Sequence, residues 1–201
     1  MTRSAPPAPL GSTRPERAGL SRHRLGLYVF FASLTMLFGA AIVAFLITRA
    51  QSPVWRTPEM PQLPHGLWLS TALVFVISAS FQSAVYAVRK NKLAALVTRL
   101  WLGAGFAALF LFAQLQNWRY MEHALSGIAV RTLYPYTFYV LTGLHAAHVV
   151  GGFVPVAIVL HRARKREYSS SRHEGVSLCT EYWHYLGLVW LVLFTVLELS
   201  S

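Results

Sequence analysis

An all-α, integral membrane bundle of five transmembrane helices is the fold class this sequence predicts, and three observations predict it. Hydrophobic residues make up 55% of the 201 residues and charged residues only 12%, far from the balance of a soluble domain. The apolar residues gather in five blocks, approximately 25–47, 67–88, 97–116, 133–160 and 176–197. Each is close to the ~20 residues that cross a hydrocarbon core. Lys and Arg alternate between compartments: five precede the first block, the successive loops hold two, four (counting Arg99 at the near edge of the third block), two and five, and none follows the last block. One side therefore carries 14 and the other 4. The excess places the N-terminus and the second and fourth loops in the cytoplasm and the C-terminus outside. Topology accounts for the net charge of +11, and no nucleic-acid partner is called for.

The elements follow in order. Residues 1–24 are rich in Pro, Ser and Arg without apolar periodicity, which predicts a disordered basic cytoplasmic tail ahead of a transmembrane domain over 25–199. The first block is too long for a signal-peptide core and lacks a small-residue cleavage site, so it stays as a helix. Pro53, Pro58, Pro61 and Pro64 then forbid helix and favour an extended outer connection, flanked by the interfacial residues Trp55 and Trp68. The short turn Arg89–Lys92 makes the second and third helices antiparallel neighbours. Residues 117–132 read as a polar outer loop, with the amides of Gln114 and Asn117 closing the third helix. Pro135 suits the first turn of the fourth helix. The basic, Ser-rich segment from His161 to about Gly175 is a solvated loop able to touch anionic headgroups.

The chemistry-bearing residues concentrate in two stretches. In Thr142–Gly152, the small residues Gly143, Ala147 and Gly151 recur every four residues, a ridge that lets another helix approach closely. His145, His148 and Gly152 lie on the adjoining face. Histidine is costly in hydrocarbon and needs a partner, a cofactor or a wet cavity. The second stretch, Tyr182-Trp183-His184-Tyr185 through Trp190, follows Glu181, an acid inside or at the edge of the last span. Helix packing through hydrogen bonds is the first reading of both. Haem ligation is the second: His145 and His148 are too close on one helix to be opposite axial ligands, so a b-type haem would have to use His148 and His184. Cys179 is the only cysteine, which excludes an internal disulfide, a Cys-x-x-Cys-His haem attachment and a two-thiolate copper site. No phosphate loop, nucleophile elbow, zinc motif or carboxylate pair is present, so no active site is expected.

These two stretches resemble subunit III of the haem-copper oxidases. Thr142-Gly-Leu-His-Ala-Ala-His-Val149 is similar to that family's Thr-Gly-x-His-Gly-x-His-Val. Tyr182-Trp-His-Tyr185 is similar to its Tyr-Trp-His-Phe, with Val189-Trp190 at the family's spacing. Weaker similarities run through Arg24–Ser33, through Leu63-Pro64 with Ser70, Thr71, Ser78 and Ser80, and through Gln114-x-x-Asn117-Trp118. The likeness spans residues 24–197 and matches the short, five-helix bacterial form. Three acids usual in the family are replaced by Leu34, Asn117 and Gly187, so proton handling through those positions is not expected of this chain.

The resemblance implies a non-catalytic subunit of a respiratory complex that passes electrons from cytochrome c or quinol to dioxygen. It implies no cofactor in this chain, with haem and copper in partner subunits I and II. It further implies bound membrane phospholipids, and the bacterial plasma membrane ahead of the mitochondrial inner membrane. A companion subunit of a nitric oxide reductase-like complex is the alternative within the same architecture. His145, His148, Trp183 and His184 are expected to tie the fourth and fifth helices together. Gly143, Ala147, Gly151, Gly152, Glu181, Tyr182 and Trp190 are expected at helix, subunit or lipid interfaces.

Overall fold

The computed structural model describes residues 22–58, 60–126 and 132–200. Five helices make up this part of the chain: α1 (Arg22–Gln51), α2 (Gly66–Arg89), α3 (Leu93–Leu125), α4 (Tyr134–Arg164) and α5 (Glu174–Glu198), with no strand among the described residues. Helices α1 to α4 are each long and apolar enough to cross a membrane. In α5 the polar run from Glu181 to Tyr185 offsets the apolar half beyond it. Of the expected basic tail, residues 1–21 lie outside the described residues, and Arg22–Arg24 already belong to α1.

The loop expected over 117–132 is corrected at its start. Helix α3 continues to Leu125, because nothing between Asn117 and Leu125 breaks a helix and Asn117 and Met121 are buried against the bundle. Polarity alone suggested a loop, but this is a helix with one buried face. Residues 127–131 lie outside the described residues. Pro135 sits in the first turn of α4, where its missing N–H costs nothing.

The helices form a ring in the order α1, α5, α2, α3, α4, and α4 also touches α5 across the middle. Helices α2 and α3 make the most extensive contact, as their short connection requires. Helix α1 touches only α4 and α5, and most of its surface is exposed. The core runs through Phe81, Leu100, Phe110, Phe138, Leu141, Leu186 and Trp190, all essentially inaccessible.

Each end of the bundle carries a tie. At the basic end, Asn91 adopts the left-handed conformation (φ 52°) that ends the α2–α3 turn. Its Oδ1 accepts from the Ser170 backbone N–H at 2.7 Å and its Nδ2 donates to Ser170 Oγ at 3.2 Å, joining that turn to the α4–α5 loop. At the opposite end Trp55 Nε1 donates to the Ser200 carbonyl at 3.0 Å. Asn91→Ala is expected to cost about 1–2 kcal/mol, from the left-handed backbone and the lost bonds together. Asn91→Gly should recover the backbone part alone. Thermal unfolding of the three proteins in mild detergent measures both parts.

Candidate functional site

The seam between α4 and α5 is set by one glycine. A side chain at Gly152 would begin 2.9 Å from the Tyr182 ring and 3.0 Å from that of Trp183. Two aromatic rings of α5, set at 80° to each other, therefore close on the α4 backbone where only glycine fits. Trp183 in turn stacks on Phe81 of α2 at 5.0 Å, and the Tyr182 hydroxyl donates to the His148 carbonyl at 2.8 Å. The ridge of Gly143 and Gly151 behaves differently. A side chain at either would meet nothing within 4 Å, and Ala147 and Gly151 are exposed. Within this chain, Gly152 makes the close approach and the four-residue ridge faces outward.

The histidines divide among three environments. His145, 2% exposed, sits in a box of rings from Phe38 on α1, Phe110 on α3 and Trp190 on α5, with centroids 5.2–6.3 Å away. The box is completed by Trp190, which is fully buried and whose Nε1 donates to Thr71 Oγ1 at 3.1 Å. His148 turns toward α1, 5.1 Å from Phe38, and its Nδ1–H donates to the Leu144 carbonyl one turn back. His184 turns to α2, where Ser78 and Gln82 engage its two ring nitrogens. A neutral ring satisfies both bonds when Ser78 donates to Nδ1 and Nε2–H donates to Gln82 Oε1.

His184 thus fastens α5 to α2 rather than to α4, contrary to the expected tie. The reason is angular: three residues before Gly187, which lies against Val74 of α2, it projects to the side of α5 that α2 covers. His148 and His184 engage different neighbours, α1 and α2. Among the described residues no three His, Cys, Asp or Glu side chains come together as a metal-binding group would require. Cys179 is buried as a small core residue.

The positions where the resemblance expects acids are all packed. Leu34 is buried in α1. Asn117 joins Ser70 and Gln114 in a buried amide–hydroxyl triad, donating from Nδ2 to Gln114 Oε1 at 3.3 Å and to Ser70 Oγ at 3.4 Å. Gln114 and Asn117 are therefore mid-helix links between α2 and α3, not an end cap. Gly66 is required beside them, since a side chain there would overlap Asn117 Oδ1. Gly187 lies against Val74, with 3.0 Å from its Cβ position to a valine methyl.

A groove opens where α1, α4 and α5 diverge toward the basic end. It has a volume of about 490 Å³ and is walled by Phe30, Ala147, Gly151, Val154, Leu178 and Tyr182. At its mouth a more polar space of about 620 Å³ is bordered by His23, Arg162, Tyr168 and Arg172 together with Glu167 and Glu174, Glu167 lying 4.0 Å from Arg162. Burial raises the Tyr168 pKa above that of an ordinary phenol, against the pull of Arg162, so its hydroxyl stays neutral. The role of Gln82 was not legible in the sequence. A glutamine four residues after Ser78 in an otherwise apolar helix was the available signal for it.

A bundle that is all helical among the described residues, with four helices long and apolar enough to cross a membrane, defines a multi-pass integral membrane protein. Residues 16–200 match the family described as cytochrome c oxidase subunit III. The chain is 32% identical over 181 residues to cytochrome c oxidase subunit 3 of Thermostichus vulcanus, covering 88% of this chain and 87% of the relative. It is 32% identical over 180 residues to the Synechocystis protein of that name, covering 87% and 74% of the two chains. Identity is 27% over 192 residues to that of Alkalihalophilus pseudofirmus, covering 94% and 93%. The chain belongs to the cytochrome c oxidase subunit III family.

Proposed function

We propose that this chain is a non-catalytic subunit of an aerobic haem-copper oxidase, packed against subunits I and II and holding phospholipid in the groove beside α4. The observation that carries the reading is the family match over residues 16–200, which takes in all five helices and both histidine stretches. In this reading α5 is the fifth span, the basic end faces the cytoplasm of a bacterial cell, and electrons pass from cytochrome c or quinol to dioxygen within the partner subunits.

The histidine geometry supports a structural role for this chain. His184 spends both nitrogens on α2, and His145 is enclosed by aromatic rings of three other helices. Haem and copper then reside in the partner subunits, which carry the redox chemistry. The groove supports the lipid assignment: apolar walls suit an acyl chain, and Arg162 and Arg172 at the mouth suit a phosphate.

Purification of the tagged chain from its native membrane in mild detergent tests this. The expected result is copurification with a haem-bearing subunit and a copper-binding subunit, with oxygen consumed on addition of reduced cytochrome c or quinol. A reduced haem band that stays with this chain after it is separated from all others would overturn the reading in favour of a b-type cytochrome. Nitric oxide consumed in place of oxygen would move the chain to a reductase-like complex. For the groove, Arg162→Ala with Arg172→Ala is expected to lower phospholipid retained per chain at least twofold, measured by mass spectrometry of the purified complex.

A further inference from the structure

Helices α1 and α2 both pack on α5 and make no contact with each other among the described residues. Between them the outward side of α5 forms the floor of a trough. Glu181, Leu188 and Thr195 rise along that floor at a seven-residue spacing, two helical turns apart on one face, and Leu188 is 59% exposed. Thr35 and Gly39 of α1 border one side, with a hollow of about 240 Å³ against Leu188 and Val192. Gly39 has nothing within 4 Å of where a side chain would start, so a neighbouring backbone can come close there. Ser78 and Gln82 of α2 border the other side.

The polar groups around this trough are already paired, with one exception. Thr35 and Tyr185 are hydrogen-bonded to each other at 2.9 Å, and Ser78, Gln82 and His184 satisfy one another. Glu181 is the exception: its Oε2 is buried yet has no hydrogen-bond partner among the described residues. It lies seven residues, ~10 Å, into α5 from the basic end. A carboxyl group at that depth needs a donor or a cation, and the two ring nitrogens of His184, one turn further along the helix, are occupied.

We propose that this trough receives a transmembrane helix of a neighbouring subunit, and that Glu181 pairs with a basic or N–H-bearing side chain on that helix. The occupant is apolar along Leu188 and Val192 and carries its one donor in the half of the membrane nearer the basic end. The proposal rests on the reading of the chain as part of a multisubunit complex, and it names the face through which that complex is held.

The test uses the intact complex in native membranes. A photo-crosslinking amino acid replaces Leu188 in one variant and Phe112 in another; Phe112 is exposed on α3, whose backbone makes no close approach to α5 and which meets it in the core at Phe110 and Trp190. The expected result is a cross-link from position 188 to a transmembrane segment of a different subunit, at least tenfold stronger than any from position 112. That segment should bear a Lys, Arg, Trp, Asn or Gln at the level of Glu181. In parallel, Glu181→Gln is expected to shorten the half-life of the complex in mild detergent at least tenfold, while the helicity of the isolated chain is unchanged. Cross-links to lipid alone, to a second copy of this chain, or equally from both positions would overturn the trough assignment, as would an unchanged half-life. If those outcomes appear while oxidase subunits still copurify, the subunit reading stands and only the trough falls. If no other subunit copurifies, both fall.

Discussion

Trp190→Ala is expected to be the most damaging single substitution in the bundle, costing about 3–5 kcal/mol. Trp190 is fully buried, closes the aromatic box around His145, meets Phe110 edge-on at 4.9 Å and donates to Thr71. Truncation removes all of these contacts and leaves a cavity at the point where α2, α3, α4 and α5 converge. It also strips His145 of one wall, exposing a costly polar ring to whatever fills the space. Trp190→Phe keeps most of the volume and loses the bond to Thr71, and should cost about 1–2 kcal/mol. Thr71→Val removes that bond from the other side and should cost about 1 kcal/mol, leaving the indole N–H unpaired. Unfolding of the purified chain, followed by far-ultraviolet circular dichroism, ranks the three. Equal losses for all three would show that the hydrogen bond, and not the volume, matters.

The second large effect separates two adjacent glycines. Gly152→Ala places a methyl group 2.9 Å from Tyr182 and 3.0 Å from Trp183, a tighter approach than carbon atoms tolerate. The α4–α5 seam must open, at an expected cost of about 2–3 kcal/mol. Gly151→Ala and Gly143→Ala add a methyl group in open space. Each should leave the isolated chain unchanged or raise its stability by about 0.5 kcal/mol through lower backbone freedom. The same thermal unfolding, run on the three alanine variants, gives the order. A loss at Gly151 as large as that at Gly152 would mean that the ridge packs within the chain after all.

These two cases show what was legible in the sequence. Five helices follow from apolar blocks and prolines because burial in lipid leaves the backbone little choice but helix. The two histidine stretches were visible because polar groups in apolar runs are conspicuous. Their partners were not visible. Gly151 and Gly152 are consecutive and identical in type, yet one faces open space and the other carries two aromatic rings. The difference is a rotation of about 100° about the axis of α4, and only the neighbours decide its meaning. His184 likewise has Ser78 and Gln82 as partners, more than a hundred residues earlier in the chain, a distance no local pattern spans. The extension of α3 past Asn117 was missed because polarity was read as loop, although a helix can be polar on the faces it does not bury.

The ring order of the helices has a consequence for how the chain is made. Helix α1 leaves the ribosome ahead of the other four, yet its contacts are with α4 and α5, the latest of the five to emerge. The α2–α3 hairpin can close as soon as it is inserted, whereas α1 must wait in the bilayer with almost all of its surface bare. For the time it takes to synthesise more than a hundred further residues, it is open to wrong neighbours or to a protease. An insertion factor that shelters a solitary first helix, or a partner subunit already in place to receive it, would shorten that exposure. A chain truncated ahead of α5 would therefore leave α1 with only its limited contact to α4, and its rapid degradation would be the cellular sign that the ring had failed to close.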